Sequence, residues 1–165
     1  MNRPQRPRPL RRRPLPRAAA PPNRIGRPET APRARVLVVE DNADTRDLLV
    51  TILKTEGYEV VVAEDGEVAI SRFREQPADI VLMDLYLPRK DGVTAIRELH
   101  AACPGVVIVA ISGDAGPIWR DALAEARAAG ALLTLRKPIE PWVLLRTLEG
   151  VVAGRRSVTR LTAAG

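Results

Sequence analysis

The sequence predicts an α/β domain in which helices cover both faces of a parallel β-sheet. Segments rich in β-branched residues alternate five times with segments whose apolar residues recur at helical spacing. The first kind of segment is apolar at nearly every position, which is typical of parallel strands buried on both sides. Polar residues then follow several of these runs directly. Five consecutive strand–helix units predict a doubly wound fold.

The strands are identified as short runs of Val, Ile and Leu, such as RVLVVE and VVIVAIS. Branched and apolar side chains of this kind favour extended backbone, and each run is too short for a typical helix. We predict the five strands at residues 35–40, 58–64, 79–84, 106–112 and 131–136.

The helices are identified by apolar spacing and by their end signals. The first has Leu49 and Leu53 four residues apart and stops at Gly57, and either Asp41 or Asn42 is placed to cap it. In the last helix, Trp142 is expected to pack against the sheet. We predict the five helices at residues 43–57, 66–76, 91–102, 117–130 and 141–154.

Charge is distributed very unevenly along the chain. Residues 1–34 contain ten Arg, nine Pro and one acidic residue, whereas the remaining 131 residues have a net charge of −3. We therefore predict a disordered, polyproline-like tail over 1–34, a folded domain over 35–153 and a short C-terminal tail over 154–165. The basic tail is either a solvated extension or an arm that contacts acidic surfaces, such as nucleic acid, anionic lipid or an acidic protein.

Cysteine content and hydropathy exclude several classes of protein. Cys103 is the only cysteine, which excludes an intramolecular disulfide and a thiolate metal cluster. No apolar run approaches the roughly 18 residues of a membrane helix, and no apolar signal core follows the basic N-terminus. We therefore expect a cytoplasmic protein without a transmembrane segment.

Functional groups follow four of the predicted strands. Glu40 and Asp41 follow the first strand, Asp84 ends the third, Ser112 ends the fourth, and Lys137 follows the fifth. Open parallel sheets bind ligands at this edge, so we expect these side chains to converge. An acid such as Asp84 after four apolar residues is costly to bury unless a cation compensates it. The pattern predicts a site that combines carboxylates, a hydroxyl and an amine.

Four segments make a resemblance specific: VLVVEDN (36–42), VLMDLYLPRKDG (81–92), AISG (110–113) and LRKP (135–138). Together they resemble the receiver domains of two-component response regulators, and the resemblance runs from residue 35 to about residue 150. It implies a flavodoxin-like (βα)5 fold with the strand order 2-1-3-4-5.

The resemblance also implies a role for each site residue. Asp84 is then the phosphoacceptor, and Mg²⁺ is held by Asp41, Asp84 and the backbone carbonyl of Tyr86, with Glu40 acting on the metal either directly or through a water molecule. The chemistry agrees, because Mg²⁺ prefers hard oxygen ligands and phosphoryl transfer to a carboxylate depends on positioning and charge compensation. Ser112 is expected to hydrogen-bond a phosphoryl oxygen.

As a receiver, the protein is expected to be a signalling switch. Lys137 would pair with the phosphoryl group, which a sensor histidine kinase or a histidine phosphotransfer protein would donate. The downstream protein target is unknown, and no DNA-binding output domain is predicted. The only chemistry expected is Mg²⁺-dependent self-phosphorylation and autodephosphorylation, so the protein is not predicted to be an enzyme.

Two positions bear on how such a switch would work. Thr134 stands three residues before Lys137, where receivers usually carry an aromatic residue, so the aromatic part of their switch is in doubt. Tyr86 is bulky at a position where water must approach a phosphoryl group on Asp84, and we expect it to slow hydrolysis.

Two other classes of function fit the sequence less well. An aspartate-nucleophile phosphatase uses similar chemistry, but such enzymes usually have an Asp-x-Asp pair, and here Tyr86 stands two residues after Asp84. A binding module that is never phosphorylated and acts through its basic tail is disfavoured by the intact set of acceptor residues.

Overall fold

The computed structural model describes residues 32–113 and 117–162, so nearly all of the predicted tail 1–34 lies outside the described residues. The strands are β1 (Arg35–Val39), β2 (Glu59–Ala63), β3 (Ile80–Asp84), β4 (Val107–Ser112) and β5 (Leu133–Arg136). The helices are α1 (Ala43–Thr55), α2 (Gly66–Glu75), α3 (Gly92–Ala102), α4 (Pro117–Ala129) and α5 (Pro141–Thr162).

The five strands form one parallel sheet with the order β2-β1-β3-β4-β5. Both the predicted fold class and the predicted strand order are confirmed. The chain runs from β1 outward to β2 and then returns to β3 on the other side of β1. The strand order therefore reverses between β1 and β3, which is where ligands bind in folds of this type.

Two apolar clusters pack against the two faces of the sheet. Val36 and Val38 of β1 belong to the cluster formed with α1 and α5, whereas Leu37 and Val39 belong to the cluster formed with α2, α3 and α4. Successive residues of a strand point to opposite faces, so the helices are divided between the two sides. Strand β3 lies at the centre, and all five of its residues are buried.

Side chains cap the first three helices. Asn42 caps α1 by accepting a hydrogen bond from the Thr45 backbone N–H (2.8 Å), and Asp65 and Asp91 cap α2 and α3 in the same way. A cap of this type contributes about 1 kcal/mol. The sequence left Asp41 and Asn42 as alternatives, and because Asn42 is the cap, Asp41 is available to the strand-end site.

The last helix differs from the prediction in two ways. It continues to Thr162 instead of ending at Gly154, because a single glycine costs a helix only about 1 kcal/mol and no proline follows. The expectation for Trp142 is wrong, since this residue is 64% exposed. Buried Leu144 and Leu148, one turn apart, anchor the helix instead, and Trp142 lies on another side of it.

Candidate functional site

The pairing of β1 with β3 explains why two acids meet at the edge of the sheet. Val39 of β1 is in register with Met83 of β3. The next residue along each chain segment is an acid: Glu40 follows the end of β1, and Asp84 is the last residue of β3. The two acids therefore lie at the same level of neighbouring strands. Both are buried, with 1% of Glu40 and 4% of Asp84 exposed. The two carboxylates therefore share a site from which most water is excluded.

The next two strands bring a hydroxyl and an amine to the same edge. Asp84 is in register with Ile111 of β4, and Ser112 follows Ile111 directly. The backbone N–H of Lys137 donates to the carbonyl oxygen of Ser112 (2.8 Å), which continues the ladder beyond the end of β5. A Cβ at Gly113 would lie 3.3 Å from Lys137 Cδ, so the aliphatic part of the lysine packs over this glycine.

Lys137 joins the two buried acids. Its Nζ lies 2.5 Å from Asp84 Oδ2 and 2.7 Å from Glu40 Oε2. The lysine side chain comes from a segment 53 residues after Asp84, and its own exposed fraction is 24%. A cation in contact with both carboxylates compensates the cost of burying them, which answers the question that Asp84 raised in the sequence.

The pKa values of Glu40 and Lys137 are both shifted by this environment. Burial is the main influence on Glu40 and raises its pKa, and the nearby Asp84 carboxylate acts in the same direction, against the opposing effect of Lys137. Burial acts to lower the pKa of Lys137, but the hydrogen bonds to Asp84 and Glu40 outweigh it, and the pKa is raised. Lys137 therefore carries its charge at neutral pH, and Glu40 takes up a proton more readily than an exposed glutamate.

Asp41 adds a third carboxylate to the cluster. Glu40, Asp41 and Asp84 each offer one oxygen, and these three oxygens all lie within 4.8 Å of one another. Asp41 is exposed, whereas the other two are buried, so the cluster opens to solvent on the side of Asp41. Three carboxylate oxygens at this spacing are donors of the kind that Mg²⁺ prefers.

Tyr86 and Ser112 occupy the remaining predicted positions. The Tyr86 backbone N–H donates to Asp84 Oδ1 (3.0 Å), and its ring is exposed. Its carbonyl as a metal ligand stays a prediction. Ser112 Oγ is buried and has no hydrogen-bond partner among the described residues. A buried hydroxyl without a partner is costly, and an oxygen-rich ligand in the site would supply one.

Arg46 contacts the candidate site in a way that the sequence did not reveal. Its guanidinium, on α1, donates to the backbone carbonyl oxygens of Glu40 (2.8 Å) and Asp41 (3.3 Å). These bonds fix the segment that carries both acids. One arginine near the start of a helix carries no distinctive pattern, so only the folded structure identifies its role.

Gly92, the first residue of α3, sets the shape of the segment after β3. Its N–H donates to the carbonyl oxygen of Leu85 (3.1 Å), and a Cβ at this position would overlap the carbonyl oxygen of Asp84 and lie 2.7 Å from Leu85 Cα. Only glycine fits so close to the backbone of Asp84.

Thr134 is half-buried, and its hydroxyl accepts a hydrogen bond from Arg127 Nη2 (2.9 Å). This polar contact joins α4 to β5 at the position where receivers usually carry an aromatic residue.

Comparisons with known proteins agree with this geometry. Residues 36–149 match the model of the response regulator receiver domain. The chain is 38% identical over 130 residues to the transcriptional regulatory protein PdtaR of Mycobacterium tuberculosis, covering 77% of this chain and 60% of the relative. It is 29% identical over 126 residues to protein PilH of Pseudomonas aeruginosa, covering 73% of this chain and 99% of PilH.

Solved structures show the same similarity. A CheY-like response regulator receiver domain protein from Methanospirillum hungatei superposes with a TM-score of 0.70 at 25% identity, covering 74% of this chain and 96% of that one. NtrX from Brucella abortus superposes with a TM-score of 0.73 at 28% identity, but the chain spans only 29% of its length. In the part of the chain that the structure describes, no helix is both long and apolar enough to cross a membrane.

Proposed function

Because the chain belongs to the response regulator receiver family of two-component signalling, we propose that it accepts a phosphoryl group on Asp84 from a phosphohistidine. The donor would be a sensor histidine kinase or a histidine phosphotransfer protein. The observation that supports this best is the Asp84 carboxylate itself, which is 4% exposed, contacts Lys137 and lies beside two further acids.

Transfer forms one bond and breaks another. A carboxylate oxygen of Asp84 attacks phosphorus, an O–P bond forms, and the P–N bond to the donor imidazole breaks with its electron pair left on nitrogen. The product is an acyl phosphate on Asp84. Asp84 Oδ1 is already oriented by the Tyr86 N–H, so the carboxylate needs little reorganisation before attack.

The carboxylate cluster fits the divalent cation that this family uses. Glu40, Asp41 and Asp84 would hold Mg²⁺, with the Tyr86 carbonyl as a further ligand. The bound ion supplies positive charge that offsets the crowded acids and the incoming phosphoryl oxygens. Glu40 must be ionised to serve as a ligand, and its raised pKa means that acid conditions compete with metal binding.

Lys137 and Ser112 would recognise the phosphorylated state. The ammonium of Lys137 contacts Asp84 Oδ2 and is placed to pair with a phosphoryl oxygen once that carboxylate has become an acyl phosphate. The hydroxyl of Ser112, which lacks a partner among the described residues, would donate to a second phosphoryl oxygen. New bonds at β4 and β5 would shift the equilibrium between two conformations of the domain.

The signal would pass through protein–protein contacts. Every strand that the structure describes belongs to the one receiver sheet, and the match covers 99% of PilH, so PilH consists almost entirely of the matched domain. We propose a cytoplasmic receiver that acts on a protein target and that catalyses nothing beyond its own phosphorylation and dephosphorylation.

Incubation with acetyl phosphate and Mg²⁺, followed by intact-mass analysis, tests the proposal. The wild-type chain is expected to gain the mass of one phosphoryl group, and Asp84→Asn is expected to gain none. Omitting Mg²⁺ with a chelator present should abolish labelling. A phosphorylated Asp84→Asn variant would identify a different acceptor and contradict the proposal.

A further inference from the structure

The segment between β3 and α3, residues 85–91, contains an unusual backbone conformation. Arg89 has φ = 61°, and among the described residues it is the only non-glycine residue with positive φ. An arginine has no intrinsic preference for this region, which disfavours side chains with a Cβ. Interactions made by the arginine must therefore compensate the conformation.

Those interactions are made with the segment that links β2 to α2. Arg89 Nη2 contacts Asp65 Oδ2 and lies 3.8 Å from Glu64 Oε1. The side chain of Asp65 has no exposed surface, and its other oxygen, Oδ1, accepts from the backbone N–H groups of Glu67 (2.7 Å) and Val68 (2.9 Å). Oδ1 of this buried carboxylate thus caps α2, and Oδ2 contacts Arg89.

The pair lies next to groups that leave the 85–91 segment little freedom. A Cβ at Gly66 would lie 2.7 Å from the carbonyl oxygen of Lys90, so the start of α2 packs directly on the residue after Arg89. Lys90 Nζ in turn lies 2.7 Å from Glu98 Oε1 on α3. Arg89 is thus the point at which the 85–91 segment is tied to the β2–α2 segment by charge.

We infer that Arg89 is a positioning residue for the metal site. Its ion pair with Asp65 holds the 85–91 segment in the conformation in which the Tyr86 N–H orients Asp84, and so fixes the position of the carbonyl ligand proposed at Tyr86. The role of the pair in metal binding rests on the proposed function, whereas its role in ordering the segment does not. Groups that orient metal ligands without touching the metal typically change metal affinity about 10- to 100-fold when they are removed.

Two substitutions separate this role from a merely structural one. Arg89→Gly removes the cation but suits positive φ, so the backbone conformation is no longer disfavoured. Asp65→Asn removes the charge but keeps an oxygen that can cap α2. The double variant has the net charge of the wild-type chain, which removes long-range electrostatics from the comparison. Arg72→Gln, which disrupts an exposed pair with Glu75 on α2, is the matched control.

Two measurements are made on each full-length variant. Amide hydrogen exchange of Tyr86, Lys90 and Gly92, monitored by NMR in metal-free buffer, reports how well ordered the 85–91 segment is. Calorimetric titration with Mg²⁺ reports the metal affinity. We expect exchange about tenfold faster and Mg²⁺ binding about tenfold weaker in Arg89→Gly and in the double variant. Arg89→Lys, which keeps the positive charge, should recover part of the protection from exchange and part of the Mg²⁺ affinity. Arg72→Gln should match the wild type in both measurements.

Arg89→Gly also removes one positive charge near the site, which alone would strengthen Mg²⁺ binding, so weaker binding cannot be a charge effect. Unchanged exchange in Arg89→Gly and the double variant would overturn the inference, and so would faster exchange with unchanged Mg²⁺ affinity. A wild-type chain that binds no Mg²⁺ would instead overturn the proposed function, and the exchange data would still decide whether Arg89 orders the segment.

Discussion

Replacing Lys137 with methionine tests the electrostatic organisation of the site most revealingly. Lys137→Met keeps an unbranched, apolar side chain over Gly113 but removes the ammonium that contacts both Glu40 and Asp84. These acids are 1% and 4% exposed, so the variant leaves two buried carboxylates without their cation. We expect the metal-free variant to be less stable than the wild type.

The size of the loss follows from burial and from proton uptake. Removing one partner of a buried ion pair costs about 3–5 kcal/mol, and because Lys137 is 24% exposed we expect about 3 kcal/mol at pH 7. Glu40 can reduce its share of the cost by binding a proton. With an unfolded pKa of about 4.3, that uptake costs about 4 kcal/mol at pH 7 but only about 1 kcal/mol at pH 5.

The loss should therefore shrink as the pH falls. Burial already raises the pKa of Glu40, and removing Lys137 raises it further. At a pH between the pKa of Glu40 in the unfolded chain and its higher pKa in the folded variant, the folded variant therefore binds more protons than the unfolded chain. Its stability relative to the wild type must then increase on acidification. Urea unfolding at pH 7 and pH 5, with a chelator present, measures the effect directly.

Lys90→Met is the matched control for this experiment. Lys90 Nζ lies 2.7 Å from Glu98 Oε1, the same distance as in the Lys137–Glu40 pair, but the Glu98 side chain is 44% exposed. An exposed pair contributes only about 0–1 kcal/mol. If both lysine variants lose equally little stability, or if the loss in Lys137→Met grows between pH 7 and pH 5, the assignment of Lys137 as the cation of a buried acid cluster is wrong.

Three further substitutions probe the surroundings of Asp84. Gly92→Ala should cost about 1–3 kcal/mol in urea unfolding. It should also slow labelling by acetyl phosphate, because a shift of about 1 Å near the reacting group can slow a reaction roughly 100-fold. A variant labelled as fast as the wild type would refute the close approach of Gly92 to Asp84. Asp91→Ala should cost about 1 kcal/mol at pH 7, whereas Asp91→Asn keeps a capping oxygen and should cost less. Burial acts to raise the pKa of Asp91, but hydrogen bonds from Thr94 outweigh it, and the pKa in the folded protein is lowered. The greater stability of the wild type over Asp91→Ala should therefore persist above the unfolded pKa of about 3.9. It should disappear as the pH falls through the lower pKa of the folded protein. Tyr86→Asn should speed the loss of the phosphoryl group, as followed by mass spectrometry over time, because the exposed ring would no longer hinder water; an unchanged rate would end the shielding idea.

The fold was predictable because local pattern and global architecture agree. Five apolar runs alternate with five helical segments, and each run became a strand of the parallel sheet. The meeting of Glu40 with Asp84 was predictable for the same reason, since residues that follow neighbouring parallel strands share one edge. The order of the strands, however, came from the resemblance to receivers rather than from periodicity.

Features that depend on tertiary contacts were not predictable. Trp142 was expected against the sheet because it is large and apolar, but the helix phase that buries Leu144 and Leu148 exposes it. Arg46 shows the same limit, because its hydrogen bonds to the Glu40 and Asp41 carbonyls follow from how α1 leaves β1, and no sequence pattern specifies them. Short-range rules identify elements, whereas such contacts depend on the packing of the whole domain.

The most direct test of the central claim is to locate the phosphoryl group chemically. The phosphorylated chain is treated with sodium borohydride, which reduces an acyl phosphate to an alcohol, and peptide sequencing by mass spectrometry then identifies the converted residue. We predict conversion of aspartate to homoserine at position 84 alone. Conversion at Asp41 instead, or a borohydride-resistant phosphate on Ser112, would contradict the claim that the strand-end site uses Asp84 as its acceptor.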